Sequence, residues 1–165
     1  MNKYTKISQN RISHFQELIG KENVFFNPEL LNEFGHDETE DLVFPPEVAL
    51  TPRTTEQVSQ IMKYCFENNI PITPIGSQTG LSGGALSIHG GVGLSMKKMI
   101  AIVELDEKNQ QIIVEPGLIT EELQNAAIEK GLFYAPDPSS KGSCSIGGNL
   151  AENAGGPRAV KYGVT

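Results

Sequence analysis

Two glycine-rich runs hold the groups best suited to chemistry: Pro74-Ile75-Gly76-Ser77-Gln78-Thr79-Gly80-Leu81-Ser82-Gly83-Gly84, and the stretch from Lys141-Gly142-Ser143-Cys144 to Asn153-Ala154-Gly155-Gly156. Glycine lacks Cβ, so it reaches positive φ and lets backbone N–H groups approach an anion closely. Thirteen of the 17 glycines fall between Gly76 and Gly93 or between Gly142 and Gly163, whereas isolated turns would scatter them. Two such loops can hold one phosphorylated cofactor. Two long structural loops are the plainer alternative.

The loops need elements to position them. Ile12, Phe15, Leu18 and Ile19 recur at helical spacing over Asn10–Gly20, with Gly20 as the stop. Asn27-Pro28 starts a second helix, with Leu30, Leu31 and Phe34 expected inward. From Pro45 the pattern becomes βαβ: strand Val48–Leu50, then a helix opened by a Thr54/Gln57 capping box with the apolar stripe Val58, Ile61, Met62, Cys65 and Phe66, then strand Ile70–Ile75. That strand runs straight into the first glycine loop, where α/β sheets expose their ligand sites. Strands then follow at Gly93–Met96, Ile100–Leu105 and Gln111–Glu115, the last two as a hairpin. Thr120–Lys130 reads as a helix with Leu123, Ala126, Ala127 and Ile128 on one face and Gly131 after it.

A chain of 165 residues, 38% hydrophobic and 20% charged, can bury a sizeable core and reads as globular. The net charge of −7 argues against nucleic acid, whose binding relies on Lys and Arg. It also means that an anionic ligand must be held mainly by neutral N–H donors. No apolar run is long enough for a membrane span. The polar start, Met1-Asn2-Lys3-Tyr4-Thr5-Lys6, shows no secretory signal, so the cytoplasm is the expected location. Cys65 and Cys144 suggest no disulfide framework; Cys65 reads as a core residue. His14, His36 and His89 are scattered and read as surface or loop residues, with no metal-ligand spacing.

Neither loop carries the Lys-[Ser/Thr] of a nucleotide-hydrolysing P-loop, and Gly80-Leu81-Ser82-Gly83-Gly84 fails the G-x-G-x-x-G spacing of the Rossmann turn. The ordered motifs are the first loop, then Tyr134-Ala135-Pro136-Asp137-Pro138-Ser139-Ser140, then Cys144-Ser145-Ile146-Gly147-Gly148-Asn149-Leu150-Ala151-Glu152-Asn153-Ala154-Gly155-Gly156, then Lys161-Tyr162-Gly163. In that order they resemble the FAD-binding domain of the vanillyl-alcohol oxidase / p-cresol methylhydroxylase superfamily, in particular the FAD-linked subunit of glycolate oxidase and the D-lactate and D-2-hydroxyglutarate dehydrogenases. The resemblance covers the chain from about Asn27 onward.

The resemblance implies an α+β fold: a small βαβ subdomain followed by a mixed, antiparallel α+β subdomain. Residues 1–44 would form a helical lead-in and 45–165 an incomplete FAD-binding domain, with subdomains near 45–95 and 96–165. It implies that Pro74, Gly76, Ser77, Gln78, Thr79, Gly80, Leu81 and Ser82 wrap the FAD pyrophosphate. Pro136, Asp137, Ser140, Gly142, Ser143, Cys144, Ile146, Gly147, Gly148, Asn153, Ala154, Gly155, Gly156, Tyr162 and Gly163 would run along the ribityl chain, the pyrophosphate and one isoalloxazine edge. Some relatives tie the flavin to a histidine in the first loop; Gln78 and Thr79 stand there in this chain, so noncovalent FAD is expected. Cys144 then reads as a small residue packed beneath the loop.

Family members are considerably longer, adding a substrate domain and the active-site histidine and acidic residues after the position of Thr165. The chain therefore reads as a truncated product or excised domain, with no assignable catalytic residue; Arg158 and Lys161 read as surface or cofactor-side charges. Two functions follow. One is the FAD-binding portion of an oxidoreductase that takes hydride from a small 2-hydroxy acid to flavin N5 and on to an electron acceptor, the portion itself being inactive. The other is a non-catalytic module whose fold a partner subunit completes.

Overall fold

The computed structural model describes residues 4–165, so Met1-Asn2-Lys3 lie outside the described residues. The fold is mixed α+β and divides into two compact units, one ending at Lys98 and the other beginning at Met99.

In the first unit, helix α1 (Gln9–Ile19) ends at Gly20, whose φ of 87° turns the chain into a 3-10 turn (Lys21–Asn23) and strand β1 (Val24–Phe25). Helix α2 (Pro28–Asn32) is capped by Asn27, whose side chain accepts from the Glu29 N–H at 3.0 Å. Strand β2 (Val48–Leu50), helix α3 (Thr55–Glu67), strand β3 (Ile72–Ile75) and strand β4 (Val92–Ser95) complete it. The sheet order is β1-β2-β4-β3, with β1 antiparallel and the others parallel. The expected capping box closes one residue early: Thr54 Oγ1 accepts from the Gln57 N–H, but Gln57 Oε1 accepts from the N–H of Arg53.

Alternation along the strands builds a core on each face of this sheet. Val48, Leu50, Val92 and Leu94 pack with Ile12, Phe15 and Ile19 of α1 and Ile61 and Cys65 of α3. Ala49 and Ile75 face the other way, toward Leu31 and Phe34. Helix α1, strand β1 and helix α2, all before position 45, are thus built into this unit. Burial pushes the Cys65 thiol up to about 12, as befits an inert core cysteine.

Four expected core positions are corrected. Leu30, Met62, Phe66 and Ile128 are all exposed, Phe66 at 89%. On α3 the two fully buried stripe residues are Ile61 and Cys65, one turn apart, and Met62 and Phe66 flank the seam. His14 is also not a free surface residue: it is half-buried and stacks on Tyr64, with ring centroids 4.1 Å apart.

Neighbouring parallel strands usually need a helical crossover. Here β3 and β4 are joined by residues 76–91, with no helix, so the glycine loop is itself the crossover. Pro74 fits because β3 lies at the sheet edge. Gly91 closes the return: its φ is 72°, and a Cβ there would lie 2.3 Å from the Pro71 carbonyl oxygen.

In the second unit, β5 (Ile102–Asp106) and β6 (Gln111–Val114) form an antiparallel hairpin with a bulge between Ile102 and Glu104. Asp106 holds the turn by accepting from the backbone and side chain of Asn109, which lowers its pKa. Helices α4 (Thr120–Glu129), α5 (Ile146–Ala151) and α6 (Ala159–Tyr162) follow. Leu118, Leu123 and Ile146 form the core beneath Ile112, Val114 and Tyr134.

Candidate functional site

The first glycine run leaves β3 at Ile75 and is held by a segment about forty residues earlier in the chain. The Gln78 side-chain amide donates to the carbonyls of Glu33 (3.0 Å) and His36, and the Glu38 N–H donates to the Gly80 carbonyl at 3.0 Å. Gln78 adopts φ 59° and Gly83 φ 74°. Among the described residues, the backbone N–H groups of Gly76, Ser77, Gln78, Thr79, Gly80 and Leu81 donate to no other group of the chain. Six successive donors without an internal partner, on a loop clamped by the Gln78 side chain and the Gly80 carbonyl, leave a row of N–H groups of the kind that can receive an anion. Gln78, expected as a ligand contact, uses its side chain as the clamp and offers the cradle only its backbone. Leu81 is 78% exposed at the loop tip.

The second run divides its donors. Amides of Ser143, Cys144, Ile146, Gly147, Asn149 and Ala154 are used internally, on the carbonyls of Ser140, Ser140, Leu118, Pro116, Ser145 and Asn149 in turn. Among the described residues, those of Ser140, Gly142, Gly148, Asn153 and Gly155 have no such acceptor. Side chains of Cys144 and Ile146 are buried in the unit's own core, so with their amides also spent these two shape the loop. The buried Ser145 hydroxyl has no partner among the described residues.

Gly156 fixes the path of this segment. It has φ 121°, and a Cβ on it would lie 2.0 Å from the Asp137 carbonyl oxygen. Across that contact the Asp137 carboxylate pairs with Lys141 at 2.9 Å and Arg158 at 3.4 Å, while the Arg158 guanidinium lies over the Phe133 ring. The Pro136 carbonyl accepts from Gln124 at 2.8 Å. Phe133 and Tyr162 meet edge to face, with Lys161 over Tyr162, and Gly163 ends α6 with φ 84°. Asp137, Arg158 and Lys161 therefore brace the segment.

The hydrogen bond from Lys141, followed by the charge of Arg158, holds the Asp137 carboxyl below its ordinary 3.8. A depressed folded-state pKa means that the pairing stabilises fully above the unfolded value and is lost as pH falls through the folded one. In thermal melts, Asp137→Asn is expected to melt below the unsubstituted chain by a constant margin above about pH 5, a margin that vanishes on acidification through the carboxylate range. A margin independent of pH would assign the effect to packing instead.

Among the described residues no group of histidine, cysteine and carboxylate side chains could hold a metal, and no helix is long and apolar enough to cross a membrane. Both glycine runs fit a phosphorylated, hydrogen-bond-rich cofactor, by their unpartnered amides and by the backbone approach that only glycine allows at position 156.

The family model described as "FAD binding domain" matches residues 46–165. The chain is 42% identical to a D-lactate dehydrogenase of Anaerostipes hadrus over 98% of its own length and 34% of that protein. It is 45% identical to glycolate oxidase subunit GlcD of Bacillus subtilis (strain 168), over 80% of the chain and 28% of that protein. The chain thus spans about a third of the length of these relatives. In fold it superposes on alkyldihydroxyacetonephosphate synthase with a TM-score of 0.86, at 17% identity, over 98% of the chain and 35% of that structure. With a family match over most of the chain, the chain belongs to the FAD-binding-domain family.

Proposed function

We propose that this chain is the FAD-binding portion of an oxidoreductase that oxidises a small 2-hydroxy acid of the glycolate or D-lactate type, and that it holds FAD without a covalent bond. The run of unpartnered amides from Gly76 to Leu81 carries the reading, because it offers a dianionic pyrophosphate neutral donors in a chain of net charge −7. The names of the relatives support the substrate class.

In this reading the first cradle, with Pro74 setting its entry and Ser82 its far end, binds the pyrophosphate. Ser140, Gly142, Gly148, Asn153 and Gly155 offer amides to the polar atoms of the ribityl chain and ring edge, and Gly156, Tyr162 and Gly163 shape that path. FAD, when bound, supplies a hydride acceptor. Donors fixed before the cofactor arrives need no reorganisation to stabilise negative charge on it, the logic of an oxyanion hole. Noncovalent attachment is supported by Gln78 and Thr79 standing in the first loop in place of a histidine, and by the burial of Cys144. In this reading no group of the chain is assigned to abstract the substrate proton or bind its carboxylate, and the proposal takes the chain alone to be inactive.

The second reading, a module completed by a partner subunit, is favoured by the exposed apolar side chains Ile100, Ile102, Val103 and Ile113 on and beside the hairpin. One titration separates the two. FAD fluorescence is followed on adding the chain, or a chimera in which it replaces the matching third of B. subtilis GlcD. Saturable quenching that ADP-ribose competes away is the expected result; no quenching by either protein overturns the cofactor reading in favour of the module.

A further inference from the structure

Thr120, the first residue of α4, is fully buried and lies beneath the second glycine run. Its backbone N–H donates to the Cys144 carbonyl at 3.0 Å. Its hydroxyl accepts from Asn149 Nδ2 at 2.5 Å and lies 3.3 Å from the Cys144 carbonyl oxygen and 3.2 Å from Cys144 Sγ. A threonine hydroxyl has one proton and two lone pairs. It can therefore serve Asn149 as acceptor and Cys144 as donor at once. Cys144 and Asn149 are themselves buried, and they bound the segment containing the unpartnered Gly148 amide and the unpartnered Ser145 hydroxyl. Just outside, the Ala154 N–H donates to the Asn149 carbonyl at 2.9 Å, so the path continues from Asn149 toward Gly155 and Gly156.

We propose that Thr120 is a positioning residue, whose hydroxyl staples both ends of segment 144–149 to α4 and so sets the direction of the donors that the run presents. It touches no ligand and acts through Asn149 and Cys144. What those donors hold rests on the FAD reading above; the stapling itself does not.

The test is amide hydrogen exchange on the chain without cofactor, with the FAD titration alongside. Valine keeps the shape of threonine and removes the hydroxyl, leaving the buried Asn149 amide unpaired. In Thr120→Val, exchange of the Cys144, Asn149 and Ala154 amides is expected to quicken by about tenfold or more, with α1, β2 and α3 unchanged and FAD affinity lowered by a similar factor. Thr120→Ser restores both to within about twofold. Asn149→Ala removes the same hydrogen bond from its other side and is expected to reproduce the local acceleration should the valine variant fold poorly. Wild-type exchange over 144–154 in both deletions, acceleration spread equally through the β5–β6 hairpin, or no rescue by serine overturns the proposal. Faster local exchange in a chain whose parent binds no FAD would uphold the staple and overturn the cofactor reading alone.

Discussion

Gly156→Ala is expected to destabilise the second unit by about 3 kcal/mol or more and to remove FAD binding with it. Two costs act together. At φ 121° an L side chain is strained by its own backbone, and the new Cβ would lie 2.0 Å from the Asp137 carbonyl oxygen, well inside van der Waals contact. Relief requires the 155–158 backbone to move away from Asp137, which pulls Arg158 from its carboxylate and carries the Gly155 amide with it. Exchange-resolved thermal unfolding should show the loss within residues 99–165 while α1, β2 and α3 keep their protection. A variant as stable as the unsubstituted chain, with unaltered FAD affinity, would mean that the contact at position 156 is not made in solution.

The second large effect lies outside the matched family segment. Phe15→Ala is expected to cost about 3–5 kcal/mol, a large share of the 5–15 kcal/mol that holds a typical domain folded. Phe15 is fully buried in the cluster that contains Leu50, Ile61 and Cys65, and the T-shaped Tyr64 ring meets it at 5.4 Å. Phe66→Ala makes the control: the ring is 89% exposed, and the change should stay within about 0.5 kcal/mol. Chemical denaturation of the two variants beside the parent measures the contrast. Equal losses would restore Phe66 to the core and overturn the observed packing of α3; a negligible loss at Phe15 would detach α1 from the first unit.

That contrast also marks what the sequence could and could not show. Periodicity along α3 selects five apolar residues, but a helix lying on a sheet buries a strip narrower than that stripe, and which residues fall in it depends on α1, far away in the chain. Ile61 and Cys65 were therefore legible as core, and the exposure of Met62 and Phe66 was not. Local signals fared better: Asn27 and Thr54 begin helices, and Gly20 and Gly131 end them, where their chemistry places them. In the candidate site, glycine spacing marks both runs because backbone freedom is written in the residue type. The division of the second run into spent and unpartnered amides was hidden, since it depends on the carbonyls of Pro116 and Leu118, about thirty residues earlier. Thr120 was likewise read only as the start of a helix; nothing in its neighbours marks the hydroxyl that reaches Asn149.

The clamp of Gln78 on Glu33 and His36 has a consequence for the order in which the molecule assembles. These bonds join residues 45 and 42 apart in the chain, and neither glycine nor serine in the loop has an intrinsic preference that would shape it sooner. The cradle therefore acquires its form only after α2 and the residues behind it have docked on the sheet. Under the proposed function, FAD binding at this loop would depend on the packing of α2 and the residues after it as much as on the glycines themselves.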